Sequence, residues 1–536
     1  LKENGDTVYH DKEKISEKVN TYYKPMFTLR DFWTVNDKLM ISNIAYLSIG
    51  RGGGTGFDSQ SGVKYDDNGQ LNFQSIYDNN HKTNWSDFID GYPDGYAAGN
   101  FLKTSKNEHF WYGLLSTANY DFSDKIEFAG GIDLRSYKGS HYKEVHDLLG
   151  GDYAIGTTDK TDPNKFLSEG DKYSYYNDGL VNWGGVFGQI KYNNGIISSF
   201  LNITGSYSGY KRIDYFKKKD LVFEDTIMRM AVGYDKESIS EPVGIPDTVY
   251  YQDEAYTAES QEARYAETDW HWIPGFTAKS GINYNINENL NAFTNFGYMS
   301  NAPRFNNIYS YDNALYDEIK NEIVKAVEGG VAWFSPSFSA KLNAYYTSWE
   351  NKPSQGFSYQ YRDPITDEII IMYVNINGMD ALHKGVEFDF VYKFNDMFEV
   401  QGLASFGDWR WKSKDSVDVY DPDQQFVKTI YFNAKDLFVG NSAQNQLAAS
   451  LRVEPIDKLY IKATYRHFMK HYAEFNPLDL DPTEKPNSFD ENGKPLQSWK
   501  VPNYGLLDIH AGYGRKIGKL YYKISVGIYN ALNETY

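Results

Sequence analysis

The sequence predicts an all-β protein, a transmembrane antiparallel β-barrel, and three observations carry that prediction. Amphipathic segments of strand length recur along the whole chain. They are joined alternately by very short turns and long polar connections, and aromatic residues gather near their ends. Successive strand side chains point to opposite faces, so alternating apolar and polar residues give each segment one greasy and one wet side. Connections alternating between short and long match the periplasmic turns and extracellular loops of an outer-membrane barrel.

The composition fits. The 536 residues hold 47 tyrosines and 45 glycines against 17 prolines, with no cysteine. The mean hydropathy of −0.61 is that of a soluble protein, but a barrel needs only alternate strand residues to be apolar while its loops stay polar. No stretch is long and apolar enough for a transmembrane helix, and no charged-then-apolar segment opens the chain, so Leu1 is expected to be a mature or internal position. A net charge of −18 argues against nucleic acid, whose phosphates call for basic patches.

The segment 125–137 shows the pattern. Ile126, Phe128, Gly130, Ile132 and Leu134 share one face, and Glu127, Asp133, Arg135 and Tyr137 the other. Its predecessor places Phe110, Tyr112, Leu114, Ala118 and Tyr120 together. The unit recurs at 19–35 with 39–49, 180–192 with 197–210, 271–286 with 290–300, and 322–333 with 338–349. It continues at 383–394 with 398–411, 443–454 with 459–468, and 504–514 with 520–530. This makes roughly sixteen strands in eight hairpins, each of about ten to thirteen residues, enough to cross a bilayer at a tilt.

Lipid is expected against Ile126, Phe128, Ile132, Leu134, Leu459, Ile461, Leu520, Tyr522 and Ile524. The lumen is expected against Glu127, Asp133, Arg135, Glu387, Asp389, Lys462 and Arg466, because charges are costly on the lipid side. Tyr120, Phe122, Tyr192, Tyr207, Tyr392, Phe394, Tyr513 and Tyr522 sit where interfacial girdles belong. The long connections are 51–107, 138–179, 211–270, 301–319, 351–382, 412–442 and 470–502, and loops of such length are usually functional.

No catalytic constellation stands out, so the chain is not read as an enzyme. Gly50–Gly56 (GRGGGTG) lacks the Gly-Lys-Ser/Thr ending of a phosphate loop and reads as a flexible loop base. The tips at Asp66–Gly69 and Asp490–Gly493 read as hairpin turns with positive φ at Asn and Gly. Loop-bound calcium would sit there, although the acids are fewer than in an EF-hand loop; no cofactor is expected. His467, Met469, His471 and Tyr472 cluster at a strand end, where packing is a simpler reading than metal ligation.

Substrate contacts are expected from loop aromatics beside hydrogen-bond donors: Tyr210, Arg212, Tyr215, Arg304, Phe305, Trp349, Trp409 and Trp411. Aromatic faces stack on sugars or chelate rings, and arginine forks onto anions. Loop–loop packing is the ordinary alternative for each.

Several stretches resemble TonB-dependent receptors of nutrient-scavenging Gram-negative bacteria. Residues 297–305 (GYMSNAPRF) are similar to the family's aromatic-x-x-x-Ala-Pro box. Residues 320–330 (KNEIVKAVEGG) resemble its Asn-x-x-x-Lys-x-x-x-x-Glu-x-Gly segment, and 526–536 (VGIYNALNETY) the signature before its last strand. Stretches 137–153 and 376–389 read like the same group. The resemblance implies an outer-membrane location and a barrel of which about 16 of 22 strands are present, with an N-terminal plug domain lacking from this sequence. It also implies import driven by the TonB–ExbB–ExbD complex, a nutrient ligand, and a surface-exposed substrate-binding lipoprotein as a partner in capture. Haem receptors of the family carry a histidine after the Ala-Pro box, and 304–320 has none. A passive porin or plugless channel, and a secreted carbohydrate-binding or carbohydrate-degrading β-protein, are the competing readings.

Overall fold

The chain is described by a computed structural model covering residues 2–3, 6–7, 16–59, 65–66, 68–82, 84–164, 166–235, 243–310, 313–316, 319–362, 369–420, 426–483 and 485–535. One barrel sheet dominates it. Its wall strands, in chain order, are β1 (Met26–Asn36), β2 (Leu39–Ser59), β3 (Asn100–Ser123), β4 (Ile126–Asp147), β5 (Lys172–Asn193), β6 (Ile197–Asp214), β7 (His271–Asn285) and β8 (Leu290–Asn301). They continue as β9 (Glu322–Phe334), β10 (Phe338–Arg362), β11 (Ile369–Lys393), β12 (Phe398–Trp411), β13 (Ala443–Ile456), β14 (Leu459–Tyr472), β15 (Tyr504–Ile517) and β16 (Leu520–Ile528). Each pairs antiparallel with the next, from β1 through to β16. Among the described residues, β1 is registered with β2 alone and β16 with β15 alone.

Register converts the sequence alternation into two continuous surfaces. Leu114 lies opposite Leu134, Ile132 opposite Val186, Phe128 opposite Ile190, and Ile190 opposite Leu201. These side chains stay exposed, Leu134 at 46%, although burial is what apolar groups normally gain on folding. A contiguous apolar band of this extent belongs against lipid. The band also holds Ile461 opposite Val453, and Leu520, Tyr522 and Ile524 along β16.

The opposite face is polar. There Arg135 Nε donates to Asp133 at 3.0 Å while its guanidinium lies 4.8 Å from the Trp183 ring. Lys462 Nζ donates to Gln401 at 3.0 Å, and Arg466 pairs with Asp508. The sorting of residues to lipid and lumen therefore follows the sequence reading.

Short turns close one end. Asn36, Asn194, Asn287 and Asn395 each turn the chain by accepting, on the side-chain carbonyl, the backbone N–H three residues ahead, at 2.7–3.0 Å. Such Asx turns mimic a backbone turn at little steric cost. Gly195 supplies the one positive φ of its turn, +87°. Aromatic contacts mark both ends of the apolar band: Tyr120 with Phe122 and Tyr392 with Phe394 at the short-turn end, Tyr207 stacked on Trp272 at 5.3 Å at the other.

The strands run farther than the alternation predicts. β3 has 24 residues and β10 25, against the roughly ten that a tilted strand needs to cross the bilayer. The expected loops at 51–107, 138–179 and 351–382 thus begin and end as strand. Beyond the membrane both faces meet water, so the period-two signal fades while the ladder continues. Gly50–Gly56 is corrected for the same reason: it is strand, paired along one edge with Lys103–His109 and along part of the other with Asn20–Tyr23. Its glycines serve close packing, since a Cβ on Gly53 would lie 2.9 Å from the Ser105 carbonyl.

An arginine at Ile132 is expected to destabilise the barrel by about 2–4 kcal/mol, and an arginine at Ala129, on the lumenal face, by well under half of that. Equilibrium unfolding from lipid bilayers checks it; equal costs at the two positions would overturn the facing.

Candidate functional site

The end of the barrel opposite the short turns carries folded lobes. Helix α1 (Phe73–Asn80) is capped by Asn72, whose side chain accepts from Ser75 N. Its Ile76 packs with Leu71, Leu102 and Leu149. Buried Asn80 ties the lobe to the wall by donating to the carbonyls of Asn100 and Leu148 at 2.8 and 3.0 Å. A second lobe is the hairpin Lys414–Tyr420 with Phe426–Asn433. It covers the ends of β11 and β12 through Met379, Trp411, Val417, Ile430, Phe432 and Phe475. These surfaces are held by their own small cores, and loops positioned by a rigid scaffold are where binding groups concentrate.

The sequence-predicted contacts divide among three places. Tyr210, on β6, packs with Ile273, Ile308 and Tyr309, and its hydroxyl donates to the Pro303 carbonyl at 2.9 Å. Phe305 joins the same cluster, lying over Gly179, where a Cβ would come within 3.1 Å of the ring. The segment of the Ala-Pro box therefore folds back onto the wall. Arg212 is 3% exposed; it donates to the Ser310 carbonyl at 2.7 Å and to Asp214 at 2.9 Å. Arg304 alone of this group presents an exposed side chain.

Tyr215 lies elsewhere. It stacks on Tyr176 with centroids 4.2 Å apart, and its hydroxyl donates to Asp178 at 2.6 Å. Asp178 also pairs with Lys138 at 2.6 Å. Lys138 and Asp178 have the strand parity of the lipid-facing residues, so this cluster stands on the outer wall above the apolar band. Burial first, then the hydrogen bond to Asp178, pushes the Tyr215 phenol above its ordinary range, which keeps it a donor. A cavity of about 440 Å³ opens beside it, lined by Asp159, Asp162, Lys172, Tyr176, Tyr215 and Tyr265 among others.

The tryptophans form the third place. Trp411, 3% exposed, is sealed under the second lobe. Trp349 and Trp409 are half-buried and belong to a lumenal strip that sequence reasoning did not assemble. Register sets His383 opposite both Thr347 and Trp409, with Tyr345 one step below, opposite Gly385. The His383 ring is 5.4 Å from Trp409 and 6.1 Å from Trp349. Trp409 Nε1 donates to the Tyr345 hydroxyl at 2.8 Å.

Two glycines make the strip flat. A Cβ on Gly385 would sit 2.5 Å from the Tyr345 hydroxyl, and one on Gly407 2.8 Å from the Trp409 indole nitrogen. The rings lie down over the glycines. A related arrangement on β2–β5 sets Tyr46 over Gly113 and Trp183 over Gly185. The available signal was glycine at lumenal parity in adjacent strands, legible only once the register is known.

The other sequence-marked positions are structural. Asp490 Oδ1 accepts from Asn492 N and Lys494 N, each at 2.9 Å, and Asp66 Oδ1 from Asn68 N and Gln70 N. Both carboxylates are turn caps, with positive φ at Gly69 and Gly493; Asp67 falls outside the described residues. Tyr472 stacks on Phe438 at 4.5 Å, and His471 lies 6.3 Å from Tyr504. No group of metal-ligating side chains occurs among the described residues.

A wall with an apolar outer band, a polar lumen, tight turns at one end and folded lobes at the other defines an outer-membrane receptor or channel. The family described as "TonB dependent receptor-like, beta-barrel" matches residues 10–531, and the chain belongs to it. It is thus an outer-membrane barrel of a Gram-negative bacterium, from a family of receptors and transporters rather than enzymes.

Among solved structures it is similar to "Copper transporter OprC", at 10% identity and TM-score 0.56, over 97% of this chain and 61% of that one. It is similar to "ferric citrate transporter FecA in the unliganded form", at 8% identity and TM-score 0.55, over 96% and 57%. It is also similar to the "Ferric-Catecholate import receptor Fiu" from K12 E. coli, at 11% and TM-score 0.52, over 97% and 61%. At such identities the likeness is one of fold, and the chain spans about three fifths of the length of these structures. A search of curated protein sequences returns no match.

Arg212→Ala is expected to lower stability by about 3–5 kcal/mol, because it strands a buried carboxylate. Arg304→Ala should change it by less than about 0.5 kcal/mol. Denaturant titration of the folded barrel measures both; a neutral Arg212→Ala would return that residue to the ligand contacts.

Proposed function

We propose that this chain is the barrel of an active importer, which binds a scarce nutrient at its extracellular end and admits it with energy delivered through TonB. The observation that carries this reading is the asymmetry of the two ends. One is closed by Asx turns a few residues long, and the other is built into lobes with cores of their own. A passive pore needs no such pre-organised outer surface. A secreted β-protein would not leave an apolar band uncovered around its wall.

In this reading the remainder of the receptor supplies a plug that occludes the lumen and about six further strands, giving the roughly 22 of a plugged transporter barrel. The chain does no covalent chemistry. Force from TonB, energised through ExbB and ExbD, shifts the plug, and lumenal groups such as Arg135, Lys462 and Arg466 solvate its surface. A substrate-binding lipoprotein sits over the lobes. Copper, ferric citrate and ferric catecholates, named for the similar structures, are examples of scarce ligands carried by proteins of this fold.

Nutrient uptake by cells carrying the full-length receptor tests the proposal. Uptake is expected to saturate with ligand and to fall at least about tenfold on deletion of TonB or collapse of the proton gradient. Uptake that is linear in concentration and indifferent to both treatments would establish a passive channel instead.

A further inference from the structure

The geometry points to a carbohydrate-binding strip on the lumenal wall of β10–β12, formed by Tyr345, His383, Trp409 and Trp349 and suited to a neutral oligosaccharide. The inference rests on the import reading for its biological role, but binding itself can be measured without it.

Three observations carry it. The first is shape. Tyr345 and Trp409 lie flat over Gly385 and Gly407, which turns ring faces rather than edges toward the lumen. From Tyr345 to Trp349 the strip climbs four residues of strand, about 13 Å at ~3.3 Å per residue. Its ring centroids are 5.4 and 6.1 Å apart, close to the spacing of successive pyranose rings. The C–H faces of sugars stack on such surfaces as apolar groups do.

The second is charge. A planar anionic chelate would stack equally well, but it needs a free cation beside the rings. Lys352 is the nearest, and its ammonium already sits 4.8 Å from the Trp349 ring and 5.5 Å from that of Trp411. Below the strip the same face carries Glu387, hydrogen-bonded by Ser405 at 3.4 Å, and then Asp389. The chain as a whole bears −18. Lys341 stands opposite Asp389 on that face, so the surroundings of the strip carry no excess of positive charge to favour an anion over a neutral ligand.

The third is unspent hydrogen bonding. His383 Nε2, between the two tryptophans, is buried and has no partner among the described residues. Buried polar atoms are seldom left so. A hydroxyl both donates and accepts, and a sugar lying on the rings presents several along its edge.

Isothermal titration of the full-length receptor in detergent tests the strip. The ligands are a panel of neutral linear and branched oligosaccharides, with ferric tricatecholate and ferric citrate titrated in parallel. At least one neutral oligosaccharide is expected to bind, about tenfold more weakly in Trp409→Ala and Trp349→Ala, and nearly normally in Trp409→Phe, which keeps a ring over Gly407. Binding of an iron chelate with none of the sugars overturns the proposal, as does sugar affinity unchanged in both alanine variants. Uptake that ignores the proton gradient, with sugar binding intact, would remove the import reading alone.

Discussion

Every backbone N–H and C=O within the bilayer must find its partner inside the wall, because lipid offers none. That requirement makes the ladder from β1 to β16 continuous and antiparallel, and register then settles where everything else goes. A slip of one residue would turn Ile132 and Leu134 into the lumen and Asp133 and Arg135 into lipid. The pairs Leu114–Leu134 and Ile132–Val186 show the register that avoids it. Charged neighbours two residues apart use the same periodicity. Asp133 with Arg135, and Arg452 with Glu454, pair along one strand because both members necessarily share a face.

The same ladder explains how the wall carries bulky rings on its lumenal side. Neighbouring strands lie only about 4.8 Å apart, so an aromatic side chain that does not stand out into the lumen lies over the next strand or, like Trp409 over Gly407, along its own. It lies flat most closely where the position beneath has no Cβ. Gly385 beside Tyr345 and Gly113 beside Tyr46 provide the space. Glycine weakens an isolated strand through backbone entropy, and here the ring covering it restores contact. Composition alone, rich in both tyrosine and glycine, reflects this pairing.

The fold was legible because lipid imposes a strict alternation on the sequence, and the Asn turns punctuate it at one end. Where the lipid stops, so does the legibility. The outer halves of β2, β3, β4 and β10 carry residues such as Lys103, Lys106, Glu108 and His141 on both faces, and they read as loop while pairing as strand. The candidate site was half legible for a related reason. Chain position sets these aromatic and arginine residues toward the end of the barrel that carries the lobes, five of them on strands rather than loops (Tyr210, Arg212, Trp349, Trp409 and Trp411), but position does not say whether a side chain faces a lobe or the lumen. Arg212 and Trp411 are buried against the lobes, Trp349 packs on one side against the same core as Trp411, and Trp349 and Trp409 share a surface with Tyr345 and His383, which no local pattern singled out.

That division also bears on how such a receptor can change its ligand. The groups most deeply fixed, Tyr210, Arg212 and Trp411, hold lobes to wall, and altering them costs fold before it alters recognition. The strip over Gly385 and Gly407 is different. Tyr345, His383 and Trp409 hang from a regular part of the ladder, so a ring there can be exchanged for another with little penalty to it, whereas Trp349 also packs against the core of the second lobe. The wall supplies rigidity, and the lumenal parity of three adjacent strands supplies an independent set of side chains. Recognition placed there rests on the most stable part of the molecule and remains the most replaceable part of its sequence.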